Sequence, residues 1–250
     1  MTATEGTRVR AVLRKELREY RRRRSIIATM AILPILIMFA DAVAVIVVPR
    51  TTVVVDARTY VVSPILYLLL IPIVMPSTLA GYAVAGEREQ GTLEPLLTTP
   101  LQRKEFIFGK AAAIALPTMA LSYAGFTVFL IAVALYAKSA VTSATFSQGV
   151  LVFALFLLAP LMAGWAIAVG MITSVKATDV RVAQQFGTLV SLPPAGLILI
   201  LATGTIHLNY VVVVIVSAGL LLVDYGAFRL LSRMMIPERL VMDSRNVKER

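Results

Sequence analysis

The chain has 250 residues, of which 58% are hydrophobic and 15% charged, with a mean hydropathy of +0.84. Soluble domains usually carry ~45–50% apolar and ~25% charged residues, so a soluble fold of this size is excluded. The absence of cysteine and a single histidine, His207, exclude disulfides, thiolate chemistry, Cys-based metal sites and His-dependent triads.

Residues Arg8–Arg24 contain neither Gly nor Pro and predict a helix. Val9, Val12, Leu13, Leu17 and Tyr20 recur at steps of three and four, so they share one face, and arginines cover much of the rest. Such a helix suits the headgroup layer, apolar face down and cations toward anionic lipid. Six apolar blocks follow, each near the ~20 residues that cross a bilayer. They are Ser25–Val48, Tyr60–Gly86, Phe106–Tyr136, Gln148–Thr173, Gln184–Gly204 and Tyr210–Leu231. Their uninterrupted apolar character predicts spanning helices rather than amphipathic surface helices or the alternating strands of a barrel. The expected fold is therefore an all-α integral membrane protein. A cytoplasmic amphipathic helix over 1–24 precedes a six-helix membrane domain over 25–231, and a cytoplasmic tail occupies 232–250.

The net charge of +10 is explained by where the cations stand. Twenty-one Lys and Arg fall before the first block, between the second and third, between the fourth and fifth, after the last, or (Lys110 and Arg229) at the adjoining block ends; Arg50, Arg58 and Lys138 alone fall on the other side. The positive-inside rule then places both termini in the cytoplasm, as an even number of spans requires. This reading absorbs the basic charge as a topology signal and leaves no call for a nucleic-acid partner. The expected location is the inner (cytoplasmic) membrane, with lipid as the first partner.

Within the spans, Asp41 is the one charge of the first block. It lies about 24 Å beyond Ser25 at 1.5 Å per residue, in the outer half, with Pro34 two turns below on the same face. It is a candidate for the substrate path; pairing with a hydroxyl or backbone group is the structural alternative. Asp224 and Arg229 lie near the cytoplasmic end of the last block, where snorkelling makes a structural role the expectation. Pro64, Pro72, Pro76, Pro117 and Pro160 each remove a backbone hydrogen bond within a span.

The segment 87–104 is the most specific stretch. Gly91 breaks the helix leaving the second span, Thr92 can cap a new one, Pro95 is tolerated in a first turn, and Pro100 ends it at Thr99. The result is a helix of about two turns with Leu93, Leu96 and Leu97 on one face. So short a helix is marginal alone, and its leucines need cover, either from the protein's own membrane domain or from a groove on a soluble partner.

Glu87-Arg88-Glu89-x-Gly91-Thr92-Leu93-Glu94-x-Leu96-Leu97-x-Thr99-Pro100, followed by Arg103, Glu105 and Gly109-Lys110, resembles the cytoplasmic motif of type-2 permeases of ATP-binding-cassette exporters. Lys15-Glu16-Leu17-Arg18-Glu19 resembles that family's amphipathic entry helix, and six spans with both termini inside match its common layout. The resemblance implies a permease subunit paired with a second, identical or homologous one, and bound to two copies of a separate ATPase subunit. It also implies that Glu87, Glu89, Gly91, Thr92, Leu93, Glu94, Leu96, Leu97, Thr99, Pro100 and Arg103 form the ATPase-coupling segment. Many relatives place re-entrant helices before the last span; here only Thr205–Asn209 separates the last two blocks, so such a helix would require Pro193-Pro194 to break the fifth early.

The chain lacks the G-x-x-x-x-G-K-[ST] loop that cradles nucleotide phosphates, since Gly109-Lys110 is followed by Ala111 without the earlier glycine. No catalytic residue, metal site or bound cofactor is therefore expected here; ATP and Mg would belong to the partner. An ion-coupled transporter or channel without an ATPase is the alternative; it predicts buried charges along several spans, and only Asp41 qualifies. An intramembrane enzyme predicts a His, Cys or acid constellation within the spans, which is missing.

Overall fold

The computed structural model describes residues 3–22, 24–51, 56–91, 102–177 and 179–234. They form helices joined by short connections, with no strand among them. Six helical stretches are long and apolar enough to cross a membrane: Ala31–Thr51, Ala57–Glu89, Lys104–Tyr136, Gly149–Lys176, Val180–Ala202 and Tyr210–Met234.

Helix α1 runs over Ala3–Arg22. The first span follows as α2 (Arg24–Ala42), one wide π-helical turn at Val43–Val47, and the short α3 (Val48–Thr51). The second span is α4 (Ala57–Tyr67), a tight 3₁₀ turn over Leu68–Leu70, and α5 (Ile71–Glu89). The tight turn has a local cause. Pro72 has no N–H to offer the Leu68 carbonyl, which instead accepts from the Ile71 amide. At the start of α4, Asp56 caps the helix by accepting from the Arg58 amide at 2.9 Å and the Thr59 hydroxyl at 2.6 Å. The Thr59 hydrogen bond, followed by that of Arg58, holds the Asp56 carboxyl below its ordinary value.

The third span, α6 (Arg103–Tyr136), is 34 residues long, so about 51 Å at 1.5 Å per residue, well beyond the ~30 Å of a hydrocarbon core. Its start is fixed by a capping box in which Glu105 accepts from the Gln102 amide at 2.7 Å. The short α7 (Ser139–Ser147) connects it to the fourth span, α8 (Gly149–Lys176). Sequence patterning folds α7 into a connection, because nine residues without a clear apolar stripe carry little signal.

The fifth span begins at Val180, earlier than expected, and is broken in the middle: α9 (Val180–Val190) and α10 (Leu192–Ala202) meet at Ser191. Pro194 cannot donate to the Val190 carbonyl one turn back. The Trp165 indole N–H fills that place, donating to Val190 O at 3.0 Å. The chain then passes through Thr203–Asn209 without helix, and Gly204 adopts φ +73°. No re-entrant helix lies between the last two spans. The sixth span, α11, covers Tyr210–Met234, and its first free amides are met by Asn209, which accepts from Val212 N at 2.8 Å.

The second span is the most buried and packs against the fourth and fifth. A Cβ on Gly170 would stand 2.6 Å from Ala80 Cβ, so the second and fourth backbones approach as closely as small residues permit. One apolar core, with Leu66, Leu69, Phe126, Phe129, Leu155 and Leu158, fills the half of the bundle away from α1. A second, with Tyr20, Val84, Phe106, Ile107, Ile114 and Met171, fills the half next to α1. Large side chains such as Phe39, Leu135, Val211 and Leu222 face outward, as a lipid-embedded surface requires.

Candidate functional site: the charged root of the segment between spans two and three

The last turn of α5 carries Glu87, Arg88 and Glu89, and the next described residues after Gly91 open α6. Thr92, Leu93, Glu94, Leu96, Leu97, Thr99 and Pro100 lie outside the described residues, and Arg103 is the first residue of α6. What is visible is how the two ends of the segment are held.

The three charged residues of the turn reach three different parts of the protein. Glu87 turns inward and is 6% exposed. Its Oε1 accepts from Lys15 Nζ of α1 at 2.6 Å and from Lys110 Nζ of the third span at 3.1 Å. Lys110, 2% exposed, also lies 3.0 Å from Glu16 Oε1 of α1, itself 5% exposed. Two lysines and two glutamates thus form a charge-balanced cluster among α1, α5 and α6. Balance, completed by the half-exposed Lys15, is what makes burial of Glu16, Glu87 and Lys110 tolerable, because an isolated buried charge would be very costly. Lys110 Nζ also stands 5.2 Å from the Phe106 ring centroid, a cation–π contact within the same helix.

Arg88 points to the fourth span. Its guanidinium donates to the carbonyls of Ala177 at 2.7 Å and Val175 at 3.2 Å, the open C-terminal carbonyls of α8. A cation at that end also suits the helix dipole. Glu89 points to the fifth span: its Oε1 accepts from Val180 N at 2.8 Å, at the N-terminus of α9, where Asp179 accepts from Val182 N at 2.8 Å. Ser174 adds a further link, its hydroxyl oxygen lying 2.9 Å from the amides of Val84 and Ala85. Gln90 donates to the Tyr82 hydroxyl, and Gly91 leaves the helix at φ +67°, a left-handed conformation that glycine adopts without strain.

At the other end, Glu105 is 4% exposed; besides capping α6 it lies 3.7 Å from the Arg8 guanidinium. Helix α1 is held to α6 by shape as well as charge. A Cβ on Gly109 would stand 2.7 Å from Val12 Cγ1, so the glycine lets α1 lie directly on the third span. Leu13, Leu17 and Tyr20 pack into the core beside Phe106 and Ile107. The apolar face that patterning directs at lipid is thus covered in good part by the protein itself.

Electrostatics follow from this packing. Burial alone would lower the Lys15 pKa, but the hydrogen bond to Glu87 and the charges of Glu87, Glu16 and Glu19 outweigh it and hold the ammonium above its ordinary value. Burial, reinforced by Glu16, Glu19 and Glu87, raises the Tyr20 phenol.

Asp41 stands apart from this cluster. It is 5% exposed, sits just before the π-helical turn, and its Oδ2 has no hydrogen-bond partner among the described residues. Asp224 departs from the snorkelling expectation: it is 8% exposed, turned toward the fourth span, and its Oδ1 is likewise without a partner. Each such carboxylate costs ~2.5–3.5 kcal/mol on insertion scales. No group of His, Cys, Asp and Glu able to hold a metal ion occurs among the described residues.

Patterning alone does not single out Lys15, Glu16, Lys110 and Arg88 as partners. A usable signal exists in hindsight: Lys110 interrupts an otherwise uncharged apolar block, and a cation there needs carboxylates.

No curated protein matches the chain. The family model described as ABC-2 family transporter protein matches residues 10–202, from α1 through the end of α10. With six apolar helices and that match over more than half its length, the chain is a multi-pass membrane permease of the ABC-2 transporter family.

Proposed function

We propose that the chain is the permease subunit of an ATP-driven exporter, paired with a second permease subunit and energised by two separate ATPase subunits. Both termini face the cytoplasm in this reading, and the membrane is the inner (cytoplasmic) one. The coupling segment is 87–104, and its short helix expected over residues 93–99 seats against the ATPase, with Leu93, Leu96 and Leu97 as its apolar contact. ATP and Mg are bound by the partner, and no nucleotide chemistry resides in this chain. Asp41, buried and unpartnered in the first span, contributes to the substrate path.

The observation that carries the reading is the anchoring of Glu87, Arg88 and Glu89. They tie the root of the segment to α1 and the third span, to the end of the fourth span and to the start of the fifth. In this reading a push on residues 93–99 is delivered to four elements at once. Such delivery is what a subunit energised from outside the membrane requires, since packed elements move as units.

The test is co-expression with a P-loop ATPase encoded beside this chain. Co-purification is expected, with ATP hydrolysis found in the complex and not in the chain alone. Leu93→Asp or Leu97→Asp should abolish assembly or uncouple hydrolysis from transport. Hydrolysis by the purified chain at the rate of the complex, or transport unaffected by both substitutions, would sink the proposal. Transport driven by an ion gradient without ATP would favour the ion-coupled alternative.

A further inference from the structure

In the half of the bundle nearer α1, the third, fourth and sixth spans leave a groove of about 740 Å³ between them. Its walls include Phe108, Ala112 and Met119 of the third span, Pro160 of the fourth, and Leu221 and Phe228 of the sixth. Among the lining residues Asp224 alone carries a charge. It is 8% exposed, and its Oδ1 has no hydrogen-bond partner among the described residues. Room for it is made by Gly164, where a Cβ would stand 2.7 Å from Asp224 Oδ2. Lys110, next in sequence to the lining residue Ala111, does not serve it, being held between Glu16 and Glu87.

The two parts of the groove ask for different chemistry. Its walls match hydrocarbon, and its volume falls within the range of small-molecule sites. The buried carboxylate matches a cation, and the absent counter-charge is the one missing element of the site. An anionic amphiphile would be repelled, and a neutral one would leave Asp224 unpaired. A zwitterionic phospholipid would bring its phosphate along with its amine. Asp224 also lies ten residues before Met234, roughly 15 Å along the helix and below the level of headgroup amines.

We propose that this groove binds a lipophilic amine, its ammonium against Asp224 and its alkyl or aromatic body along the alanine wall of the third span. The site does not depend on the ATPase-coupled reading, because it is built wholly from this chain.

The experiment uses the full chain in phosphatidylcholine nanodiscs, labelled with a diazirine-bearing dodecylamine or with the matching dodecanol. The amine is expected to label peptides containing 108–119 and 221–228, excess dodecylamine to suppress that labelling, and the alcohol to label about tenfold less, a preference of ~1.4 kcal/mol. Asp224→Asn should reduce amine labelling to the level of the alcohol and leave alcohol labelling unchanged. Ala112→Phe, which fills the groove without touching the carboxylate, should reduce both, and it carries the test if Asp224→Asn fails to fold. Equal labelling by amine and alcohol, or amine labelling unchanged by either substitution, overturns the proposal.

Discussion

Replacing Lys110 by Met is expected to loosen α1 from the bundle, and the size of the effect can be worked from the geometry. Lys110 Nζ lies 3.0 Å from Glu16 and 3.1 Å from Glu87, with all three side chains almost fully buried. At an effective dielectric of ~20, each contact amounts to ~5 kcal/mol of attraction. Desolvation offsets much of that in the intact cluster. Removing one member of a buried ion pair nevertheless costs ~3–5 kcal/mol, because it leaves carboxylate charge uncompensated. Lys15 still holds Glu87 at 2.6 Å, so the low end applies: ~3 kcal/mol, or roughly 150-fold in the equilibrium for α1 opening. The chain has no cysteine, so Leu13→Cys gives a unique reporter on the packed face of α1 without background thiols. Its alkylation rate by a maleimide tracks the open fraction when opening and closing are fast. Lys110→Met should raise that rate about 150-fold, and adding Glu16→Gln should return most of the protection by removing an uncompensated charge. A rate within about twofold of the parent, or a double variant no better protected than Lys110→Met, would refute the view that charge balance holds α1 in place.

The same reporter reads a further substitution and a further condition, and amide exchange reads a third prediction. Gly109→Ala should expose Leu13→Cys by placing a Cβ 2.7 Å from Val12 Cγ1 and 2.8 Å from Val12 Cβ, and Val12→Gly, which removes both atoms, should relieve it; lack of rescue would mean that α1 does not lie on the third span as described. Because the Lys15 pKa is raised in the folded state, its contribution is fully present below its ordinary value of 10.5 and is lost as pH rises through the higher folded value. Protection should therefore hold up to about pH 10.5 and fall beyond it, with Lys15→Met flattening the Lys15-linked part of that decline. Trp165→Phe should leave Val190 O unpaired at the break in the fifth span, costing ~1–3 kcal/mol and accelerating amide exchange in α10; unchanged exchange would show that the indole hydrogen bond is dispensable.

Apolar runs are nearly self-sufficient signals, because a bilayer leaves a backbone so few solutions. All six spans were legible for that reason, with ends moved by a few residues: the second extends to Ala57 and Glu89, and the fifth opens at Val180. The break at Ser191 was foreseeable from Pro193-Pro194, whereas its repair by Trp165 was not, since the indole lies 25 residues away in sequence. The charged root was legible as a motif and not as a set of contacts. Glu87 and Glu89 read only as members of the coupling segment, because sequence alone does not say which way a helical turn faces. Asp224 was misjudged for a related reason. Its depth in the span suggested snorkelling, while its direction, toward Gly164, depends on how the sixth span is rotated against the fourth.

The last turn of α5 carries a consequence for how the protein tolerates change. Glu87, Arg88 and Glu89 are consecutive, and successive residues on an α-helix are turned by about 100°. Their three targets on α1 and the third, fourth and fifth spans therefore stand around the helix like the wards of a lock around a key. Inserting or deleting one residue before Glu87 in α5 would rotate every tooth of that key away from its ward, although no charge would be lost. Length changes placed after Gly91 would leave the key in phase. What the protein must preserve here is angular phase as much as residue identity.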